Sequence, residues 1–154
     1  MKNNTIVIGC DDAAVDMKKQ IIALLKAKNI TVEDVGVHGA DDAMYYPLVA
    51  KKLCEEIIKS NYTKDGILIC GTGIGMAMTA NKFKGIRAAV CHDNFSAERS
   101  RLSNDANVLC MGARVIGPEL AKKITLEWIS LDFVDGSSTP KVNAIKEIDN
   151  TNIC

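Results

Sequence analysis

From Thr5 to Ser130 the chain alternates short apolar runs with longer segments whose apolar residues recur every three or four positions. The runs Thr5–Gly9, Thr31–Val35, 66–70, Arg87–Cys91 and Val108–Met111 are predicted as strands. Helices are predicted over Ala13–Lys28, Pro47–Lys59, 74–83, Phe95–Leu102 and Pro118–Ser130. Ile21, Ile22, Leu24 and Leu25 supply the apolar side of the first helix, and Val49, Leu53 and Ile57 repeat at four-residue intervals along the second. In the fifth, Leu120, Ile124 and Trp128 share a face, and Pro118 sits in the first turn. Strict alternation of strand and helix forces parallel pairing with right-handed crossovers. The predicted fold is therefore α/β: a doubly wound, five-stranded parallel sheet of Rossmann-like kind. A polar turn, Asp135-Gly136-Ser137-Ser138-Thr139, leads to a last helix from about Pro140 to Asp149. The expected organisation is one domain, with residues 1–137 as its body and 138–154 as a C-terminal helical arm.

Sheets of this kind bind ligands beyond the carboxyl ends of their strands. Strand one delivers Cys10, Asp11 and Asp12 there, strand three Cys70 and Thr72, strand four Cys91, His92 and Asp93, and strand five Gly112 and Arg114. The third strand is the most informative. Gly66-Ile67-Leu68-Ile69-Cys70 runs straight into the glycine loop Gly71-Thr72-Gly73-Ile74-Gly75 and then into a helix. A thiol at that junction lies beside backbone N–H groups and the positive end of a helix, both of which favour the thiolate. The same amides suit an oxyanion, and a base beside an oxyanion cradle acts on small anionic or carbonyl-bearing molecules. The competing reading of Cys70 is a buried strand-end thiol. Thr72, Asp11 and Asp93 likewise have competing roles as helix caps. A dinucleotide site is a poor match, because Gly71-x-Gly73-x-Gly75 is not G-x-G-x-x-G and follows the third strand rather than the first.

Composition removes several other classes. The 19 basic and 19 acidic residues cancel, so no global field recruits nucleic acid or an anionic membrane. No apolar stretch approaches the roughly 20 residues needed to span a bilayer. Met1-Lys2-Asn3-Asn4 enters the first strand without a signal-peptide pattern, so a cytoplasmic location is expected. The six cysteines, Cys10, Cys54, Cys70, Cys91, Cys110 and Cys154, form no C-x-x-C pair, which fits a reducing compartment better than a disulfide framework. No two cysteines or histidines have zinc-ligand spacing, and neither metal nor cofactor is expected.

The motifs then converge on one family. Gly9-Cys10-Asp11, Tyr46-Pro47, Cys70-Gly71-Thr72-Gly73-Ile74-Gly75 and Ala80-Asn81-Lys82 carry the first half of the likeness. Gly85-Ile86-Arg87-Ala88, Asn104-Asp105-Ala106-Asn107-Val108 and Gly112-Ala113-Arg114-Val115-Ile116-Gly117 carry the second. Over nearly its full length the chain resembles the type B ribose-5-phosphate isomerases and the related galactose-6-phosphate isomerase subunits. The resemblance implies aldose–ketose isomerisation of a phosphorylated sugar without metal or cofactor, ribose 5-phosphate being the first choice of substrate. It implies that Cys70 removes a proton from the carbon next to the carbonyl, and that Thr72 and the loop at Gly71, Gly73, Ile74 and Gly75 hold the enediolate. Asp11, Asp12, Tyr46 and Asn104 would line the sugar-phosphate site, with Arg114 and Lys141 in the phosphate clamp. The family builds each site across a dimer interface, so a homodimer or tetramer is expected.

The departures from the family pattern are specific. Asp-His after strand one is here Asp11-Asp12, and the aspartate that usually precedes tyrosine-proline is here Tyr45. Ser103 replaces the histidine assigned to opening the sugar ring, and two C-terminal phosphate arginines are replaced by Ser137 and Lys141. Galactose-6-phosphate isomerase B subunits also lack the histidine before strand five but keep Asp-His after strand one. Two alternatives follow: one subunit of a hetero-oligomeric hexose- or tetrose-phosphate isomerase with a paralogous partner, or a sugar-phosphate-binding protein that has lost turnover. His92, near the strand ends, is the candidate to replace the missing acid–base group; its other reading is a solvated loop histidine.

Overall fold

The computed structural model describes residues 4–151. Five parallel strands, β1 (Thr5–Cys10), β2 (Thr31–Asp34), β3 (Asp65–Cys70), β4 (Ala88–Val90) and β5 (Val108–Gly112), form one sheet in the order β2-β1-β3-β5-β4. The helices are α1 (Val15–Ala27), α2 (Tyr46–Lys59), α3 (Ile74–Ala80), α4 (Asn94–Leu102), α5 (Pro118–Ser130) and α6 (Thr139–Thr151). The doubly wound α/β architecture read from the sequence is the one observed.

Alternation along each strand sends side chains to two cores. Ile6, Ile8, Ile67, Ile69, Leu109 and Met111 face α1 and α5, whose Ile21, Leu25, Ile124 and Trp128 are fully buried. Val7, Leu68, Val108 and Cys110 face α2 and α3, with Val49, Leu53, Ile57 and Met76. β3, buried along its whole length, is the centre of the sheet. Each large aliphatic side chain so buried contributes about 1.5–3 kcal/mol.

The register fixes which residues share the carboxyl edge. Cys10 lies opposite Ile69, and Cys70 opposite Gly112. The β1 and β3 crossovers leave in opposite directions, so the crevice of a doubly wound sheet falls between their carboxyl ends.

Element ends shift for local reasons. The first helix opens with a 3-10 turn, Asp12–Ala14, because Asp11 accepts the Ala13 N–H at 3.1 Å. α3 stops at Ala80 rather than at residue 83, since Asn81 turns its carboxamide onto β4: Oδ1 accepts the Ala88 N–H at 2.8 Å and Nδ2 donates to the Ala88 carbonyl at 2.9 Å. β4 is shorter than predicted, and α6 longer at both ends.

The amino edge of the sheet is densely tied. Arg101 donates to Asp65 at 2.6 Å and to the Ala106 carbonyl at 2.7 Å, and its guanidinium lies 3.9 Å over the Trp128 ring. Asp105 accepts from both Arg87 and Lys146 at 3.0 Å. Asp149 of α6 accepts the Gly85 N–H at 2.6 Å, and Gly85, at φ +76°, packs so tightly on Tyr62 that no side chain fits there. α6 thus fastens to the amino edge, with Val142 buried beneath it. Among the described residues no helix is long and apolar enough to cross a membrane.

Candidate active site

Cys70 ends β3 with only 5% of its surface exposed, and its Sγ accepts the Gly73 N–H at 3.1 Å. That contact closes the glycine loop over the thiol. The closure depends on the backbone reaching places a side chain would block. Gly73 has φ +77°, and a Cβ there would stand 2.9 Å from the Met111 carbonyl carbon. A Cβ on Gly112 would stand 2.7 Å from the Thr72 Cα. The loop therefore lies flat on the end of β5, where Ala113 N–H donates to the Cys70 carbonyl at 2.8 Å and Arg114 N–H to the Gly71 carbonyl at 3.0 Å.

Around this floor the carboxyl edge supplies polar groups. Thr72 is exposed, and its Oγ1 accepts the Ile74 N–H at a long 3.4 Å. The Tyr46 ring covers Gly75, where a Cβ would collide with it, and Ile74 stands exposed beside the loop. The Arg114 side chain passes over Gly71, its Cδ and Nε within 3.6 Å of where a Cβ would sit. Burial raises the Asp11 carboxyl above the usual carboxylate range, helped by the charge of Asp12; the Ala13 N–H and the charge of Arg114 pull the other way. His92 Nε2 accepts the Gly112 N–H at 2.9 Å. Asp93 caps α4 by accepting from the Ser96 hydroxyl at 2.6 Å and the Ser96 N–H at 2.7 Å, and these bonds hold its carboxyl below the usual range.

The structure thus brings Asp11, Asp12, Tyr46, Cys70, the loop through Gly75, His92 and Arg114 to one edge of the sheet. It does not bring Asn104 and Lys141 there. Asn104 precedes β5, and its Nδ2 donates to the Arg99 carbonyl at 3.1 Å. Lys141 is exposed in the first turn of α6. Both lie at the amino edge, about one strand length, roughly 15 Å, from Cys70 in the same chain. The Asn81 clasp on β4 and the His92 contact with Gly112 were not foreseen from sequence. The sequence periodicity places Asn81 inside a helix over 74–83; the available signal is the residue type, since an asparagine side chain readily turns onto a nearby backbone and disfavours a helix interior.

The edge offers a thiol, pre-aimed amides, a hydroxyl, two carboxyls and one guanidinium. That set can move a proton next to a carbonyl and hold the resulting oxyanion. Among the described residues no cluster of three His, Cys, Asp or Glu side chains is placed to hold a metal ion. Cavities of about 420 and 650 Å³ lie elsewhere, the first under Ile86, Ala106, Ile145 and Ile148, the second at the amino edge around Asp105, Asn107 and Asn143. Neither includes Cys70.

Comparison with known proteins agrees with this geometry. Residues 6–145 match the family described as Ribose/Galactose Isomerase. A ribose-5-P isomerase B of Listeria innocua is 49% identical over 96% of this chain and 98% of its own length. A D-erythrulose-4-phosphate isomerase of Pectobacterium atrosepticum is 50% identical over 92% of each chain. The ribose-5-phosphate isomerase B structure from Clostridium thermocellum superposes with a TM-score of 0.90 at 38% identity, covering 97% of this chain and 99% of the other. The chain belongs to the ribose/galactose isomerase family.

Proposed function

We propose that this enzyme interconverts ribose 5-phosphate and ribulose 5-phosphate, with Cys70 as the base. The Cys70 thiolate takes the proton from the carbon next to the carbonyl. The C–H electrons form the carbon–carbon double bond of the enediolate, and the carbonyl electrons pass to oxygen. The loop amides and the Thr72 hydroxyl meet that charge. The hydroxyl proton of the deprotonated carbon passes to the former carbonyl oxygen, Cys70 returns its proton to the former carbonyl carbon, and the double bond collapses to a new carbonyl at the neighbouring carbon. The single observation that carries this reading is the Gly73 N–H aimed at Cys70 Sγ inside a loop at the β1/β3 crevice. In this reading Asp11 and Tyr46 orient sugar hydroxyls, and Arg114 meets the phosphate.

In this reading a second copy of the chain completes the site. Asn104 and Lys141 reach Cys70 only from a partner, and Ile74 and Met78 stand one turn apart on α3 with 55% and 65% of their surfaces exposed. A homodimer is the unit to look for in sedimentation. A cytoplasmic setting is supported by the described cysteines, all free thiols.

A four-carbon substrate is the second reading. It is favoured by Ser103, which cannot titrate near neutral pH as a ring-opening group, and by the two relatives named D-erythrulose-4-phosphate isomerases at 50% and 48% identity. Turnover of the purified protein on four- to six-carbon aldose and ketose phosphates decides between them. Fastest conversion of ribose 5-phosphate is expected. Fastest conversion of a tetrose phosphate selects the second reading, and no conversion of any member refutes both.

A further inference from the structure

β5 reaches the site with one donor that the sheet does not use. On its β4 side the last backbone rung is Cys91 N–H to the Cys110 carbonyl at 3.0 Å, after which β4's path turns away. The next β5 donor on that side is the Gly112 N–H. Gly112 is buried, so its amide needs a partner there. The His92 ring supplies it, with Nε2 as acceptor at 2.9 Å. Nε2 accepts this bond through its ring lone pair.

Gly112 is also the residue on which the catalytic loop rests. It stands opposite Cys70 in the register, and its Cα abuts the Thr72 backbone. The adjoining Met111 carbonyl abuts Gly73, whose N–H points at the thiol. A shift of the Gly112 peptide therefore moves the loop against Cys70 Sγ. From this geometry we infer that His92 is a positioning residue: its Nε2 pins the Gly112 amide and thereby holds the Thr72–Gly73 backbone in register with Cys70. With Nε2 committed to the Gly112 amide, the ring acts on the loop through this bond rather than as a proton relay through that nitrogen.

The inference rests on Cys70 as the base, and the test separates the two. His92→Ala and His92→Gln are compared with the unaltered enzyme on ribose 5-phosphate and on a tetrose phosphate, alongside amide exchange at Gly112 and unfolding in urea. Gln places an oxygen acceptor where Nε2 sits. The expected result for His92→Ala is a kcat about ten- to a hundredfold lower on both substrates, with KM within a few-fold. Gly112 amide exchange should quicken at least about tenfold, as it does when a protecting bond is lost. His92→Gln should restore most of the kcat and the protection. Loss confined to the cyclic ribose 5-phosphate makes His92 a proton relay and overturns the inference. Unchanged kcat on both substrates, or no rescue by Gln despite an unchanged urea midpoint, also overturns it. If the unaltered enzyme turned over neither substrate, the functional reading would fail by itself. Gly112 exchange would still decide the tether, and unchanged protection in His92→Ala would refute it.

Discussion

The two edges of one sheet use their polar groups in opposite ways. At the amino edge several charges are matched: Arg101 with Asp65, Arg87 and Lys146 with Asp105, Asp149 with the Gly85 amide. At the carboxyl edge Cys70 receives one amide, while the Thr72 hydroxyl and the Arg114 guanidinium are exposed above the loop. Saturated pairing fixes position, and an unsaturated group is one that a ligand can still engage. The same backbone pattern thus gives one edge that holds the fold and one that is free to do chemistry.

The sharpest way to break this contrast is to remove the thiol. Cys70→Ala should cut turnover by about 10³- to 10⁴-fold while stability changes by less than about 1 kcal/mol. Steady-state rates and urea unfolding of the same preparation check it; a near-normal rate would remove Cys70 from the base role. The opposite pattern is expected of Arg101→Ala. That variant strands Asp65 in the interior and should lose about 3–5 kcal/mol of stability. The molecules still folded at low temperature should keep a near-normal kcat, and a large kcat loss in that fraction would mean the amino edge is not merely structural.

Several buried thiols resist ionisation in the folded protein. Burial pushes Cys10 and Cys54 up to about 12 and raises Cys91 and Cys110 as well. In the unfolded chain a thiol titrates near 8.5, so below that pH these groups are protonated in both states and contribute no pH dependence. Above it the unfolded chain loses protons that the folded protein retains, and stability falls. Each thiol adds up to about 1.4 kcal/mol per pH unit until its folded value is reached. Urea midpoints between pH 8 and 10 under reductant should drop steeply, and less so for Cys110→Ala.

The smallest effect concerns Asp11, whose folded carboxyl titrates above its unfolded value through burial. Ionised Asp11 therefore weakens the fold above about pH 4, and the penalty vanishes on acidification through that range. Asp11→Asn keeps an acceptor for Ala13 and should gain about 0.5 kcal/mol at pH 7, a figure held low by the partial exposure of the group. The gain should close by pH 3, while turnover falls. A variant less stable at pH 7 would mean that the Arg114 attraction outweighs burial.

Legibility in the sequence followed the range of the forces involved. Strand and helix positions came from local periodicity, and the placement of Asp11, Cys70, His92 and Arg114 at one edge followed from parallel pairing alone. Asn104 and Lys141 were tied to the site only through family likeness, and within one chain they stand at the other edge. The α3 end was misjudged because the residues after Ala80 remain compatible with a helix. What stops it is the Asn81 clasp on a strand seven residues later. The link from His92 to Gly112 was hidden for the same reason, since it spans 20 residues and exists only once β4 and β5 are neighbours.

The strand order also dictates a schedule. β4 leaves β3 and crosses to the far side of a slot that β5 later fills, so β4 has no strand to pair with until Val108–Gly112 arrive. A chain growing from its amino end holds β2-β1-β3 as a ladder and β4 detached from it. Inserting β5 then supplies, in one step, the sheet's missing rungs and the shelf under the Cys70 loop. Completion of the sheet and support of the Cys70 loop therefore depend on the same strand, and a nascent chain stalled before residue 108 possesses the Cys70 thiol without the surface on which its loop rests.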